Sequence, residues 1–300
     1  MFKIAHHPIY THPLPKGHRF PMEKYELLPQ QLILEGTCTA DDFFEPELPN
    51  DKYIVAVHEP DYYYDLLNMK IPPREARKIG FPLNEDLVLR EQIIADGTMK
   101  GCDFALKYGI AMNIAGGTHH AYSDRGEAFC MLNDQAIGAR YLQAKGLAKK
   151  ILIVDLDVHQ GNGTAEIFQN DPSVFTFSMH GNGNYPFRKE KSDLDIALNK
   201  GTTDTEYLAI LMDTLPQLIR EVKPDFIFYL CGVDILATDK LGTLALTVEG
   251  CKKRDRFVLE TCLKNRIPVQ CSMGGGYSPD LKTIIEAHAN TFRVAKELYF

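Results

Sequence analysis

From about residue 105 onward, short runs of β-branched and apolar residues alternate with longer stretches in which apolar positions recur at helical spacing. The apolar runs are Gly109–Ile114, Ile151–Leu156, Val174–Met179, Phe226–Cys231 and Val269–Met273, and the spacing predicts helices near 133–145, 163–169, 205–221, 249–265 and 279–298. Each helical stretch can carry the chain back for parallel pairing, the pattern of crossover βα units. ILIV and FIFYLC lack polar alternation, as strands covered on both faces do. The expected fold is α/β, a mostly parallel central β-sheet with helices on both faces. The first hundred residues are less regular. They predict a strand at Phe2–Ala5, helices near 24–35, 61–68 and 86–107, an apolar run at Tyr53–Val57 and a loop break at Pro72-Pro73. Neither a linker nor a repeat of solenoid period divides the chain, so one domain over residues 1–300 is expected.

Composition narrows the function. The 33 basic and 40 acidic residues leave a net charge of −7, which speaks against general binding to nucleic acid or an anionic membrane. No apolar stretch has the length of a membrane span, and the opening MFKIAHHPIY has no secretory apolar region, so a cytoplasmic location is expected. The seven cysteines form no Cys-x-x-Cys pair and read as buried thiols rather than a disulfide framework or zinc ribbon.

In open parallel sheets ligands sit at the carboxyl ends of the strands. Four apolar runs end in unusual polar segments: AGGTHHA (115–121), DLDVHQGNG (155–163), CGVDILATD (231–239) and GGGYSPD (274–280). Alternation along an extended chain places Asp155, Asp157 and His159 on one side, with Leu156 and Val158 on the other. Asp157 and His159 offer oxygen and nitrogen ligands for a borderline divalent cation. Asp234, after another buried run, is the natural third ligand and leaves a position for water. One Asp-x-Asp-x-His alone reads equally well as a buried carboxylate, a cap and a core histidine. Three acidic groups directly after buried strands favour a cation, because uncompensated buried charge is costly. His119-His120 follows a Gly-Gly turn and can share proton work, and Tyr277 can donate to an oxyanion. The remaining histidines lack ligand spacing and are assigned to capping, packing or solvent. Lys252-Lys253-Arg254 reads as a solvated helix face, and there is no Gly-x-Ser-x-Gly elbow.

These four segments, with RGEAFCMLND (125–134) between the first two, resemble the zinc-dependent histone deacetylase superfamily and its arginase-like α/β fold. HQGNG, DILATDKLG and SDRGEAFC look most like the class IV branch and its bacterial relatives. The resemblance implies zinc on Asp157, His159 and Asp234, acid/base work by His119 and His120, and a carbonyl contact from Tyr277. It implies that Asp155 orients His119 and that Asp155, Asp157, His159, Ser178 and Met179 form an inner potassium site. Phe129 and Tyr185 would wall an acyl-lysine tunnel, with Gly117, Leu241, Gly275 and Gly276 contributing, and Arg19 would lie near an exit channel for acetate. The chain departs from the better-known zinc enzymes at Asn162, where they place an Asp beside the second histidine. An amide brings no negative charge, so His120 is expected to protonate less readily, and the division of acid and base roles stays open. Thr118 replaces a bulky aromatic, which predicts a wider tunnel foot and longer acyl groups. Fe(II) or Co(II) suits the same ligands as zinc. The implied substrate is an acyl-lysine protein or peptide; a small acylated amine such as an acetylpolyamine, or a catalytically weak acyl-lysine-binding role, are the other readings. A ureohydrolase with two manganese ions fits less well, for want of a second Asp-rich cluster.

Overall fold

The computed structural model describes residues 1–300. Eight strands build one sheet: β1 (Ile4–Ala5), β2 (Phe43–Phe44), β3 (Ile110–Asn113), β4 (Ile151–Asp155), β5 (Val174–Gly181), β6 (Leu194–Leu198), β7 (Phe226–Leu230) and β8 (Val269–Ser272). Their order is β2-β1-β3-β8-β7-β4-β5-β6, and every pairing is parallel. Ten helices accompany them: α1 (Lys24–Leu34), α2 (Asp51–Ile54), α3 (Pro60–Leu67), α4 (Pro73–Ile79), α5 (Glu85–Tyr108), α6 (Asp134–Ala144), α7 (Asn162–Phe168), α8 (Asp204–Val222), α9 (Val248–Asn265) and α10 (Leu281–Tyr299). Every residue of β4 and β7 is buried, as their unbroken apolar runs require.

Local chemistry sets the helix ends. Asn84 accepts a hydrogen bond from the Leu87 amide at the start of α5, and Thr247 accepts one from Gly250 at the start of α9. Glycine 109 ends α5 with φ +88°, a left-handed turn that delivers the chain directly into β3.

Four elements escaped the pattern. The two-residue strand β2 is too short to show alternation, and β6 is a half-exposed edge strand. Pro72-Pro73 is not simply a break: Pro73 occupies the first turn of α4, where a missing N–H costs nothing. The Tyr53–Val57 run falls mostly on α2 and the turn after it.

The expectation for Lys252-Lys253-Arg254 is corrected. Arg254 is wholly buried, pairs with Asp255 at 2.7 Å and donates to the carbonyls of Gly232 (2.6 Å), Leu156 (3.2 Å) and Cys231 (3.3 Å). One guanidinium thereby ties together the segments leaving β4 and β7. All seven cysteines are free and buried.

Candidate active site

β3, β8, β7 and β4 are consecutive in the sheet, so the four polar segments leave neighbouring carboxyl ends and converge. The segment after β3 is held by Asp134, the first residue of α6. Its Oδ1 accepts from the amides of Gly117 (2.8 Å) and Thr118 (3.0 Å), and its Oδ2 from the hydroxyls of Thr98 (2.7 Å) and Ser272 (2.8 Å). Gly117, with φ +75°, touches the segment after β8 backbone to backbone: a Cβ there would lie 2.8 Å from Gly274 Cα.

Ligand atoms of Asp157, His159 and Asp234 all lie within 4.8 Å of one another, and all three residues are buried. His159 Nδ1 is 3.0 Å from Asp157 Oδ1 and 3.1 Å from Asp234 Oδ2. The Gly275 amide donates to Asp157 Oδ2 (2.9 Å) and the Val158 amide to Asp234 Oδ1 (2.9 Å), which fixes both carboxylates. A Cβ on Gly275 would overlap the Asp234 carboxylate, so backbone lies directly against this centre. Burial and the charge of Asp157 push Asp234 above the ordinary carboxylate range. Two crowded buried carboxylates and an imidazole fit a divalent cation, which would relieve that repulsion.

The rings of His119 and His120 lie 4.1 Å apart, centroid to centroid. His119 Nδ1 donates to Asp155 Oδ2 at 2.6 Å, whereas His120 Nδ1 donates to Asn162 Oδ1 at 2.5 Å. Burial opposes charge on both rings. For His119 the charge and hydrogen bond of Asp155 outweigh burial and raise its pKa. For His120 burial is reinforced by His119 and His159, and its pKa falls well below 6.5.

Tyr277 faces the same cavity, its amide donating to Asp239 Oδ2 at 2.6 Å. Burial, then the charges of Asp157 and Asp234, raise its pKa well above 10, so the phenol keeps its proton. The cavity has a volume of about 40 Å³ and is lined by Gly117, Thr118, His119, His120, Phe129, Asp157, His159, Gly275 and Tyr277. Phe129 stands in its wall with φ +69°, a costly conformation for an aromatic residue. Tyr185 packs edge-on against His120 at 4.9 Å and donates to Glu127.

Of the remaining expected residues, Ser178 pairs in register with Asp155 and contacts His180 Nδ1 at 2.9 Å, and Met179 follows it in β5. Gly276 packs toward Val233 and His288 instead of the cavity. Leu241 accepts from Asn184 Nδ2 at 2.6 Å through its carbonyl. Arg19 is not at an inner channel: it is exposed, its guanidinium 4.9 Å from the Phe129 ring. Besides Arg254, two buried cations lie near the centre: Arg90, in the cavity wall, and Lys24, whose Nζ donates to Gly274 O at 2.9 Å. Burial foremost lowers Lys24 to about 8, against the opposing pull of Asp234 and Asp157.

Sequence reasoning missed both, together with Phe20, Tyr25, Phe81 and Cys130 in the wall. Most come from the irregular first hundred residues. Asp134 was visible, as the last residue of RGEAFCMLND, but without a role. Beside Thr118 the enclosed space is small. Thr118 turns its hydroxyl to Leu132 O (2.5 Å) and Asp134 Oδ1 (2.9 Å). A water needs roughly 10–15 Å³, so the enclosed part of the cavity holds a few small groups.

The sequence signature of the histone deacetylase domain matches residues 18–292. An uncharacterized protein of Picosynechococcus sp. is 45% identical over 298 residues, covering 99% of both chains. Histone deacetylase 2 of Arabidopsis thaliana is 26% identical over 90% of this chain and 72% of its own length. The acetoin utilization protein AcuC of Staphylococcus aureus is 29% identical over 87% and 73%, respectively. A solved histone deacetylase homologue complexed with SAHA superposes with a TM-score of 0.84 at 25% identity, over 97% of this chain and 82% of that one. A homologue from Aquifex aeolicus gives a TM-score of 0.83 at 24% identity and the same coverage.

Proposed function

The chain belongs to the histone deacetylase family, and from that premise we propose that it is a metal-dependent amide hydrolase that removes a short acyl group, such as acetyl, from an acylated lysine side chain. The observation that carries this reading is the Asp157–His159–Asp234 cluster at the mouths of adjacent strands, beside two histidines with opposite partners and a protonated phenol. Asp157, His159 and Asp234 would hold the cation, which when bound polarises the amide carbonyl and makes water more acidic. Zinc suits the ligands, as do Fe(II) and Co(II). Asp155 and Ser178, paired in register, with Met179 next in β5, would supply oxygens to a structural potassium ion.

The protein's own groups divide the rest. Tyr277 keeps its proton and donates to the carbonyl oxygen as negative charge gathers there. His120, kept neutral by burial and by the neighbouring His119 and His159 while Asn162 brings no charge to offset them, accepts the proton of the attacking water. His119, held as the imidazolium by Asp155, supplies a proton to the departing amine. Phe129 and Tyr185 guide the alkyl stem. The small cavity favours acetyl over long acyl groups, the reverse of the expectation from Thr118.

The test is steady-state turnover on one lysine peptide carrying acetyl through long-chain acyl groups, with acetylpolyamines in parallel, using chelated and metal-restored enzyme. Metal-dependent turnover that declines with chain length on the peptide supports the proposal. Turnover on polyamines alone moves the substrate class, and no turnover on any amide overturns the reading.

A further inference from the structure

An amide is an ambiguous partner for a catalytic histidine. Asp155 can only accept, so it fixes the proton of His119 on Nδ1 whatever surrounds it. Asn162 can accept through Oδ1 or, turned by 180°, donate through Nδ2. Turned, it would require the Nδ1 lone pair of His120, driving the proton to Nε2 and removing the base that faces the centre. Something must hold the amide in its productive orientation.

Resting on the amide-hydrolase reading, we propose that Tyr122 and Glu190 are positioning residues that fix the tautomer of His120 through Asn162. Asn162 Nδ2 donates to the Tyr122 hydroxyl at 2.8 Å, and that hydroxyl donates to Glu190 Oε1 at 3.3 Å. The chain of donors ends on a carboxylate, which can only accept. The hydroxyl proton is therefore committed to Glu190, its lone pair faces Asn162, the amide must donate there, and Oδ1 is left for His120 Nδ1–H.

The surroundings fit this role. Asn162 is fully buried and Tyr122 nearly so, so no bulk water competes for the amide. The Arg125 guanidinium covers the Tyr122 ring at 3.5 Å. Glu190 is exposed on a loop and would not be placed by packing. Instead Gln160, the second residue of HQGNG, clamps its backbone: Gln160 Nε2 donates to Glu190 O (2.8 Å) and Glu190 N donates to Gln160 Oε1 (2.9 Å). The wholly buried Gln160 is also anchored to Asp195 Oδ1 at 2.7 Å. One short segment thus supplies the cation ligand His159, the amide Asn162 and the clamp that orders the amide's distant partner.

The experiment combines a double-mutant cycle with nitrogen-15 NMR of histidine-labelled, metal-loaded protein. Tyr122→Phe is expected to lower kcat about tenfold with KM within about twofold, since a fraction of molecules adopts the wrong tautomer. In an Asn162→Asp background, where the partner cannot donate, the same change is expected to alter kcat less than about twofold. Equal losses in both backgrounds would mean that Tyr122 only packs, and no loss in the natural background would overturn its role. Glu190→Gln, at an exposed site that leaves the core intact, is expected to give a smaller loss and to turn a pure Nδ1–H signal of His120 into a mixture. A pure Nε2–H signal in the unmodified protein, or an unchanged signal in both Tyr122→Phe and Glu190→Gln, contradicts the proposal. Absent turnover in every protein with the tautomer pattern as expected would overturn the hydrolase reading and leave the positioning claim standing.

Discussion

His119 and His120 are neighbours in sequence, lie against each other with their rings tilted and are both buried, yet they are pushed in opposite directions: His119 toward the imidazolium, His120 toward the neutral ring. The difference lies in one partner. Asp155 ends β4, where its backbone is fixed by the sheet and its charge is delivered into the site. Asn162 begins α7 and brings a dipole of selectable direction but no charge. Two adjacent imidazoles both held as cations would repel, so a charged partner on one and a neutral partner on the other lets the pair hold one proton and one vacancy.

The largest break in this comparison is His120→Ala, which removes the proposed base. It is expected to lower kcat about a thousandfold with KM nearly unchanged, whereas His119→Ala should cost about a hundredfold. Comparable losses in the two, by steady-state kinetics, would mean that the roles are not divided. Tyr277→Phe sharpens the comparison from outside it. Loss of an oxyanion donor should cost about a hundredfold in kcat, with the metal retained and both limbs of the pH profile in place. An unimpaired variant removes Tyr277 from the mechanism. Asp155→Asn tests the charged side and is expected to cost about tenfold. Because Asp155 raises the pKa of His119, its removal lowers that pKa, the imidazolium is lost at lower pH, and the basic limb of kcat should move down.

Much of this site was legible in the sequence because its ligand types lie in short segments directly after apolar runs, where period-two alternation tells which residues share a side. Asp157, His159 and Asp234 meet because β7 and β4 are adjacent and parallel. The unread parts depend on what burial does to charge. Arg254 sits in a basic run that looks solvated, and only the packed structure reveals its three carbonyl partners. Arg19 and Lys24 are five positions apart, and which one turns inward depends on the path into α1. The half-exposed edge strand β6 carries too few apolar positions to announce itself, yet its Asp195 anchors Gln160. What Thr118 does could not be read from its volume, because side-chain volume alone does not set a cavity. Its hydroxyl is drawn to Leu132 O, and Phe129 and Phe81 fill the wall.

The smallest and most telling change is Asn162→Asp, which gives His120 the kind of partner His119 already has. The most direct measurement is the pH profile of kcat/KM for this variant beside the unmodified enzyme. An added carboxylate favours the imidazolium, so the pKa of His120 rises and its basic form is lost at higher pH as the solution is acidified. The account predicts an acid limb below the ordinary histidine value of 6.5 in the unmodified enzyme, displaced upward by about one unit in the variant. Superimposable acid limbs would contradict it, because the protonation of His120 would then not govern turnover.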